Sequence, residues 1–196
     1  MLVFSIKAPT LAIDINEFGD FSSRSILMNK INGTADKMTQ EQKDLLKSKK
    51  LIPTVECLIK QIKKDNYDNV SLLLEAKVNP NESYYTEYPV YIAAKENNFE
   101  IVKLLISYNA KLDKGFNSEL FEAVKNKNNE MAMFLLDKRA RVNYQDSVTS
   151  NSILYYAIKN NMTDVAIRLI DGGAKLDNKT RKLITKKKLL DIIENR

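Results

Sequence analysis

The stretch that decides the fold is AAKENNFEIVKLLISYNAKLD, residues 93–113. A looser copy, AVKNKNNEMAMFLLDKRARVN, occupies residues 123–143, and another, AIKNNMTDVAIRLIDGGAKLD, occupies residues 157–177. A weaker copy, IKKDNYDNVSLLLEAKVNPN, occupies residues 62–81. The apolar letters persist from copy to copy while the charged letters change. This pattern indicates one structural unit repeated along the chain, with an interior shared between units.

The copies keep a fixed register. Corresponding positions near the end of each unit hold Val78, Ala110, Ala140 and Ala174, which are 32, 30 and 34 residues apart. A period of this length is typical of a solenoid, in which no unit can bury its apolar face alone.

Each unit splits into two apolar segments. In the second unit, PVYIAAKE at residues 89–96 precedes an NNF turn and then IVKLLIS at residues 101–107. Two stripes at helical spacing, broken by a turn, predict an antiparallel helix pair. The copies begin with a small residue at equivalent positions, namely Ala93, Ala123 and Ala157. A small side chain there lets the first helix lie close to its neighbours.

Helix-capping residues fit this division. Pro89 suits the first turn of a helix, and Ser118 and Ser152 precede the equivalent helices of the next two units. Gly172 and Gly173 follow the second helix of the fourth unit, where a left-handed residue is favoured.

PVYIAAKENNFEIVKLLISYNAKLD and SILYYAIKNNMTDVAIRLIDGGAKLD resemble ankyrin repeats, whose unit is roughly a TPLHxAA helix, a Gly-His turn, an EIVKLLL helix and a GADxN ending. The resemblance implies an all-α, ankyrin-type helical-hairpin repeat solenoid with a short non-repeat N-terminal segment. That segment or cap would be residues 1–53, and the repeat domain would be residues 54–196. The implied repeats are 54–81, 86–113, 117–143 and 151–177, with a capping half-repeat at 180–193.

The units also depart from the family pattern. The family's His is replaced by Ile59, Tyr91, Phe121 and Tyr155, and its turn Gly by Asn97, Lys127 and Asn161. Because that His usually ties neighbouring turns, we expect packing and a Tyr hydroxyl to replace its hydrogen bonds. Asn tolerates a left-handed backbone whereas Lys does so poorly, so we expect lower stability than in an idealised array.

The N-terminal segment does not repeat. LVFSI and LAIDI predict a small hairpin, and Thr39 three residues before Gln42 predicts a capped helix from about Gln40. A calcium-loop opening at Asp14 lacks the required Glu at its twelfth place, which is Ser25, so we interpret it as chance. We expect this segment to cover the exposed face of the first repeat, and the alternative is an export or docking sequence.

Composition restricts the function classes. There is no histidine, which removes the commonest general base, the commonest metal ligand and every Ser-His or Cys-His nucleophilic pair. The single cysteine, Cys57, allows no intramolecular disulfide and lies in an apolar segment, so we interpret it as a core residue. We therefore predict no enzyme activity, no metal and no cofactor.

The net charge is +6, and six basic residues with no acidic one fall within residues 179–188. We interpret this run as a solvated helix end, because it lacks the aromatic side chains that stack on bases. No nucleic acid is expected as a partner. No apolar run reaches about 18 residues, and no basic region precedes a long apolar one at the N-terminus, so neither a membrane span nor a secretory signal is expected.

The resemblance implies that partners bind the concave surface, formed by loop tips and the exposed sides of the first helices. Equivalent positions there hold Lys63, Lys95, Lys125 and Lys159, with Glu96 beside the second. Such a lysine row would attract an acidic partner. The alternative is that Lys is simply the commonest polar residue in this chain, and both interpretations stay open.

Aromatic residues form the second group of candidate contacts. Tyr84 and Tyr85 precede the second unit, Phe116 the third and Tyr144 the fourth. Exposed aromatic side chains offer large contact areas to a partner. Contact is the favoured interpretation for Tyr84 and Tyr85, whereas packing between adjacent loops is favoured for Tyr88 and Phe116.

The sequence thus predicts a non-enzymatic module, monomeric when unbound, that binds a protein through its groove. The alternative is a secreted pathogen effector whose repeats target a host protein. We expect a cytoplasmic location, or a host cytoplasm in the second case.

Overall fold

The computed structural model describes residues 38–186, which form ten α-helices. In chain order these are α1 Gln40–Ser48, α2 Val55–Ile62, α3 Tyr67–Glu75, α4 Pro89–Lys95, α5 Phe99–Ser107, α6 Glu119–Lys125, α7 Asn129–Asp137, α8 Ile153–Lys159, α9 Thr163–Asp171 and α10 Asn178–Lys186. Within this part of the chain, β pairing is limited to two isolated bridges, Tyr84 with Glu87 and Gln145 with Ser152. The predicted all-α class is confirmed.

The chain divides into two compact units. The first runs to Pro89 and includes Lys103–Ala110, and the second comprises Val90–Val102 and the chain from Lys111 onward. In the first unit α2 packs against α3. In the second unit α6 packs against α7 and α8, α8 packs against α9 and α10, and α7 packs against α9. Within the second unit, the α6–α7 hairpin therefore packs against the α8–α9 hairpin, and α10 packs against α8.

Short polar side chains start the helices, as the sequence predicted for Thr39, Ser118 and Ser152. The hydroxyls of Thr54, Ser118 and Ser152 accept hydrogen bonds from backbone N–H groups in the first turns of α2, α6 and α8. Thr39 and Gln42 form the predicted capping box at α1. Each such cap satisfies amides that have no partner within the helix.

Asparagine starts the second helix of the first three hairpins, which the sequence analysis did not predict. The side-chain oxygens of Asn66, Asn98 and Asn128 accept from the backbone amides of residues 69, 101 and 131. In the fourth hairpin Met162 takes this place without a side-chain cap.

Left-handed residues recur at the turns with the period of the repeat. The turn within each hairpin contains Asp65, Asn97, Lys127 and Asn161, with φ of 55°, 58°, 58° and 60°. The turn after each hairpin contains Lys77, Asn109, Arg139 and Gly173, with φ of 64°, 63°, 62° and 84°. Lys127 and Arg139 therefore adopt a left-handed backbone conformation that residues with a Cβ rarely favour. They do so because the repeat geometry requires it.

The core draws largely on the predicted apolar segments, although Leu104, Ile106 and Phe134 are only half-buried. Ala93, Ala123 and Ala157 are fully buried, as are Leu105 and Leu135 in the second helices. The C-terminal α10 buries Thr180 and Ile184 and leaves Lys179 and Arg181 exposed. Residues 187–193 of that half-repeat lie outside the described residues. The predicted N-terminal hairpin and the motif at Asp14 lie outside them too.

Candidate partner-binding surface

The first helix of each repeat ends at a lysine. Lys95, Lys125 and Lys159 are the last residues of α4, α6 and α8, and Lys63 directly follows α2. A cation is favoured at a helix C-terminus, where carbonyl groups carry partial negative charge. The backbone thus gives these lysines a stabilising role that needs no partner.

In the second unit, two asparagines hold these helix ends together. The side-chain amide of Asn126 donates to the carbonyl oxygens of Ala94 and Lys95, both at 3.3 Å. The equivalent amide of Asn160 donates to the carbonyl oxygen of Val124 at 2.8 Å. Each asparagine directly follows a lysine of the next hairpin, so these bonds set Lys95, Lys125 and Lys159 side by side. We call these three residues the lysine trio.

The environments of the predicted lysines differ. Lys63, in the first unit, forms a 2.7 Å ion pair with Glu87. Lys125 lies 3.9 Å from Glu122, and the ammonium of Lys159 lies 5.8 Å from the ring centroid of Tyr156. Lys95 and its neighbour Glu96 are exposed. Lys63 is thus partly neutralised by a carboxylate that the sequence analysis did not identify.

The loop before α4 presents two tyrosines of the first unit. Tyr85 is 82% exposed, and its ring lies edge-on to Tyr84 with centroids 4.5 Å apart. The turn has positive φ at both Tyr85 (47°) and Thr86 (67°), a strained conformation for a β-branched residue. Partial burial and the nearby Glu56 raise the pKa of Tyr84 to about 12. Tyr85 is therefore accessible, whereas Tyr84 supports the loop.

The expectation that Phe116 packs between loops is wrong, because its side chain is 94% exposed. Tyr88 is half-buried, in line with packing. Tyr144 is also half-buried: its ring lies 5.1 Å from Phe121 and 5.7 Å from the guanidinium of Arg141. The pKa of Tyr144 is raised by burial and by the negative charge of Asp146. Of these candidate contact residues, Phe116 is accessible to a partner, whereas Tyr144 is packed against its neighbours.

Buried carboxylates at α6 were not predicted. Glu119 is almost fully buried and accepts a hydrogen bond from the backbone N–H of Asp113 at 3.2 Å. Its burial and the negative charge of Asp113 raise the pKa of Glu119 to about 7. Glu122 accepts from the hydroxyl of Tyr91 at 3.2 Å, which confirms the predicted role of a Tyr hydroxyl at a position where the family has His.

Residues 38–186 contain no candidate metal site and no candidate membrane span. In this range no cluster of three or more His, Cys, Asp or Glu side chains could hold a metal ion. None of the helices in the same range is both long and apolar enough to cross a bilayer. Burial raises the pKa of Cys57, which keeps this half-buried thiol protonated and weakly nucleophilic.

Comparison with known proteins agrees with the fold. A family model described as ankyrin repeats, in three copies, matches residues 57–146. A fowlpox virus (strain NVSL) protein named as an ankyrin repeat protein is 34% identical over 82 residues, which are 40% of this chain and 19% of the relative. The chain thus spans about a fifth of the length of that relative. The hairpin of α8 and α9 lies beyond the residues matched by the family model, yet it repeats their turns and buried alanine.

Proposed function

The chain is an ankyrin repeat protein, and on this premise we propose that its second unit binds an acidic surface of a partner protein through the lysine trio. Ankyrin repeats generally serve as protein–protein interaction modules. The proposal adds the chemistry of the partner and the residues that contact it, and it involves no catalytic step.

One observation carries the proposal. The side chains of Asn126 and Asn160 fix the ends of α4, α6 and α8 next to one another, so the three lysines of the trio follow one another along one edge of the unit. Packed helices are separated by about 8–10 Å, close to the Debye length at physiological ionic strength. The fields of neighbouring ammonium groups therefore add, which favours an acidic surface and speeds its association.

Co-purification with the full-length protein tests this proposal. The variant Lys95→Glu/Lys159→Glu reverses two charges of the trio and leaves Lys125, whose reversal would place a carboxylate beside buried Glu122. We expect it to recover at least about tenfold less partner than the wild type does, because like charges across an interface are strongly unfavourable.

The matched control is Lys127→Glu/Lys138→Glu. It changes the net charge equally at two exposed lysines of the same unit, one in the turn before α7 and one after that helix. We expect the control to keep the partner. Equal losses in both variants would show that only net charge matters, and unchanged recovery in the trio variant would remove these lysines from the interface.

A second candidate function is that of an effector acting in a host cell, favoured by the similarity to a viral protein. In this case the protein works in the host cytoplasm and its partner is a host protein. Co-purification from infected and uninfected cells tests this alternative. A partner encoded by the host supports it, and a partner encoded only by the source of this protein contradicts it.

A further inference from the structure

We propose that Phe116 is an aromatic anchor that inserts into an apolar pocket rimmed by carboxylates on the partner protein. This inference rests on the proposed function and names a second contact of the same unit. Phe116 has the most exposed large apolar side chain in residues 38–186, at 94%, and it occupies the loop between α5 and α6.

The loop that carries Phe116 is held at both ends. On the N-terminal side, the backbone N–H of Asp113 donates to Glu119, and the Asp113 carboxylate accepts from the backbone N–H of Arg141 at 2.6 Å. On the C-terminal side, the guanidinium of Arg141 donates to the carbonyl oxygen of Asn117 at 3.3 Å. One arginine and one buried glutamate thus fix the backbone on either side of an exposed phenylalanine.

This arrangement favours binding. An interface loop that must be ordered on association loses affinity through lost conformational entropy, and a loop that is already fixed does not. A large aromatic side chain presented in this way has the chemistry of interface residues that dominate binding energy. Because Phe116 projects from the surface, its complement is a concave apolar pocket.

The charge of the loop that carries Phe116 indicates which groups should surround that pocket on the partner. Residues 111–117 contain two lysines, Lys111 and Lys114, and one acidic residue, Asp113. Both lysines are exposed, whereas the Asp113 carboxylate is directed to Arg141, with Oδ1 3.8 Å from its Nε. Residues 111–117 thus carry a net charge of +1, and carboxylates on the partner complement it.

Val148 provides a comparison within the same unit. It is 88% exposed in the next loop, 32 residues further on. Its neighbours are the uncharged Ser147 and Thr149, and nearby Asp146 is acidic. Val148 has a smaller side chain without adjacent positive charge, so we expect no comparable anchor there.

The first test uses a soluble host with the proposed chemistry. Carboxymethyl-β-cyclodextrin has an apolar cavity with a carboxylate rim, and unmodified β-cyclodextrin is its neutral counterpart. Each is titrated into full-length protein with labelled phenylalanine, and ring resonances are followed by NMR. The variant Phe116→Leu identifies the resonance of Phe116.

We expect saturable shifts of the Phe116 resonance, with the anionic host binding two- to about fivefold more tightly, the range of a surface charge pair. The ratio of the affinities for the anionic and the neutral host should decrease in Lys114→Gln and stay unchanged in Val148→Ala. An unmoved Phe116 resonance, or equal affinity for both hosts, overturns the inference.

The second test applies Phe116→Ala and Val148→Ala to the co-purification experiment. Loss of the anchor should reduce the recovered partner at least about tenfold, as expected for a central interface residue, while Val148→Ala leaves recovery unchanged. Equal recovery with both variants overturns the inference. If the charge reversals still abolish binding in that case, the proposed function stands without Phe116.

Discussion

The side-chain amide of Asn160 donates a 2.8 Å hydrogen bond to the carbonyl oxygen of Val124, a residue 36 positions earlier in the chain. Asn126 makes the equivalent contact with the end of α4. These neutral amides join neighbouring hairpins at the edge where the lysine trio lies. They therefore connect the stability of the second unit with its proposed binding surface.

Asn160→Ala should lower the free energy of unfolding by about 1–2 kcal/mol, because the Val124 carbonyl loses its hydrogen-bond donor in a part-buried position. Urea denaturation measures the change. Asn129→Ala is the matched control, since Asn129 is the exposed first residue of α7, and it should stay within about 0.5 kcal/mol of the wild type. Equal effects of the two substitutions would contradict a stabilising role for the hydrogen bond between Asn160 and Val124.

Tyr91→Phe should destabilise the protein more than Arg168→Ala does. The Tyr91 hydroxyl donates to Glu122, which is largely buried, so its loss should cost about 1–2 kcal/mol. The ion pair of Arg168 with Asp137, at 3.1 Å, is well exposed and should contribute less than about 1 kcal/mol. Thermal and urea unfolding rank the two variants, and the reverse order would refute this assignment.

Glu119 should make stability depend on pH. Its folded pKa of about 7 lies above the unfolded value of 4.5, so the folded state retains a proton that the unfolded chain has released. Its contribution is fully present below pH 4.5 and is lost as the pH rises through 7. In Glu119→Gln an uncharged amide replaces the carboxylate and can still accept from the Asp113 N–H.

We therefore expect Glu119→Gln to be more stable than the wild type at pH 8, with the advantage shrinking toward pH 5. The shift in pKa corresponds to at most about 3 kcal/mol across this range. Urea unfolding of both proteins from pH 5 to pH 8 measures the difference. A constant difference at every pH would show that Glu119 does not titrate differently in the folded state.

Lys127→Gly should stabilise the protein. Lys127 has φ of 58°, and the left-handed conformation costs a residue with a Cβ about 1–2 kcal/mol. Part of this gain is offset by the greater entropy of glycine in the unfolded chain, so we expect a net gain of about 0.5–1 kcal/mol. Lys125→Gly, at the last residue of α6, should instead lower the free energy of unfolding by about 0.5–1 kcal/mol, because glycine is unfavourable in a helix. A loss of stability in Lys127→Gly would mean that the turn imposes no strain.

The fold could be predicted because buried positions follow the repeat period. Ala93, Ala123 and Ala157 recur in register and are all fully buried, and Ser118 and Ser152 cap helices as their positions indicated. These features depend on local spacing and on burial, which a single sequence reveals.

The contacts of the binding surface could be predicted only in part. Asn126 and Asn160 follow Lys125 and Lys159 at equivalent positions of the repeat. This repetition was the signal that could have identified their hydrogen bonds to the preceding hairpin. Their acceptors lie on the preceding hairpin, which no local pattern specifies. The contact of Asp113 with the Arg141 N–H recurs one repeat later between Asn143 and the Lys175 N–H, whereas the contact of the Arg141 guanidinium with Asn117 in the Phe116 loop has no local sequence signal.

The most direct test of the proposed function is an NMR titration of uniformly labelled full-length protein with a soluble Glu-rich peptide. We predict that the largest amide shifts occur at residues 94–96, 124–126 and 158–160, around the lysine trio, and that they decrease as salt is added. Shifts confined to the second helices α7 and α9, or absent from all three segments at saturating peptide, would contradict the proposal that the lysine trio forms an acidic-partner site.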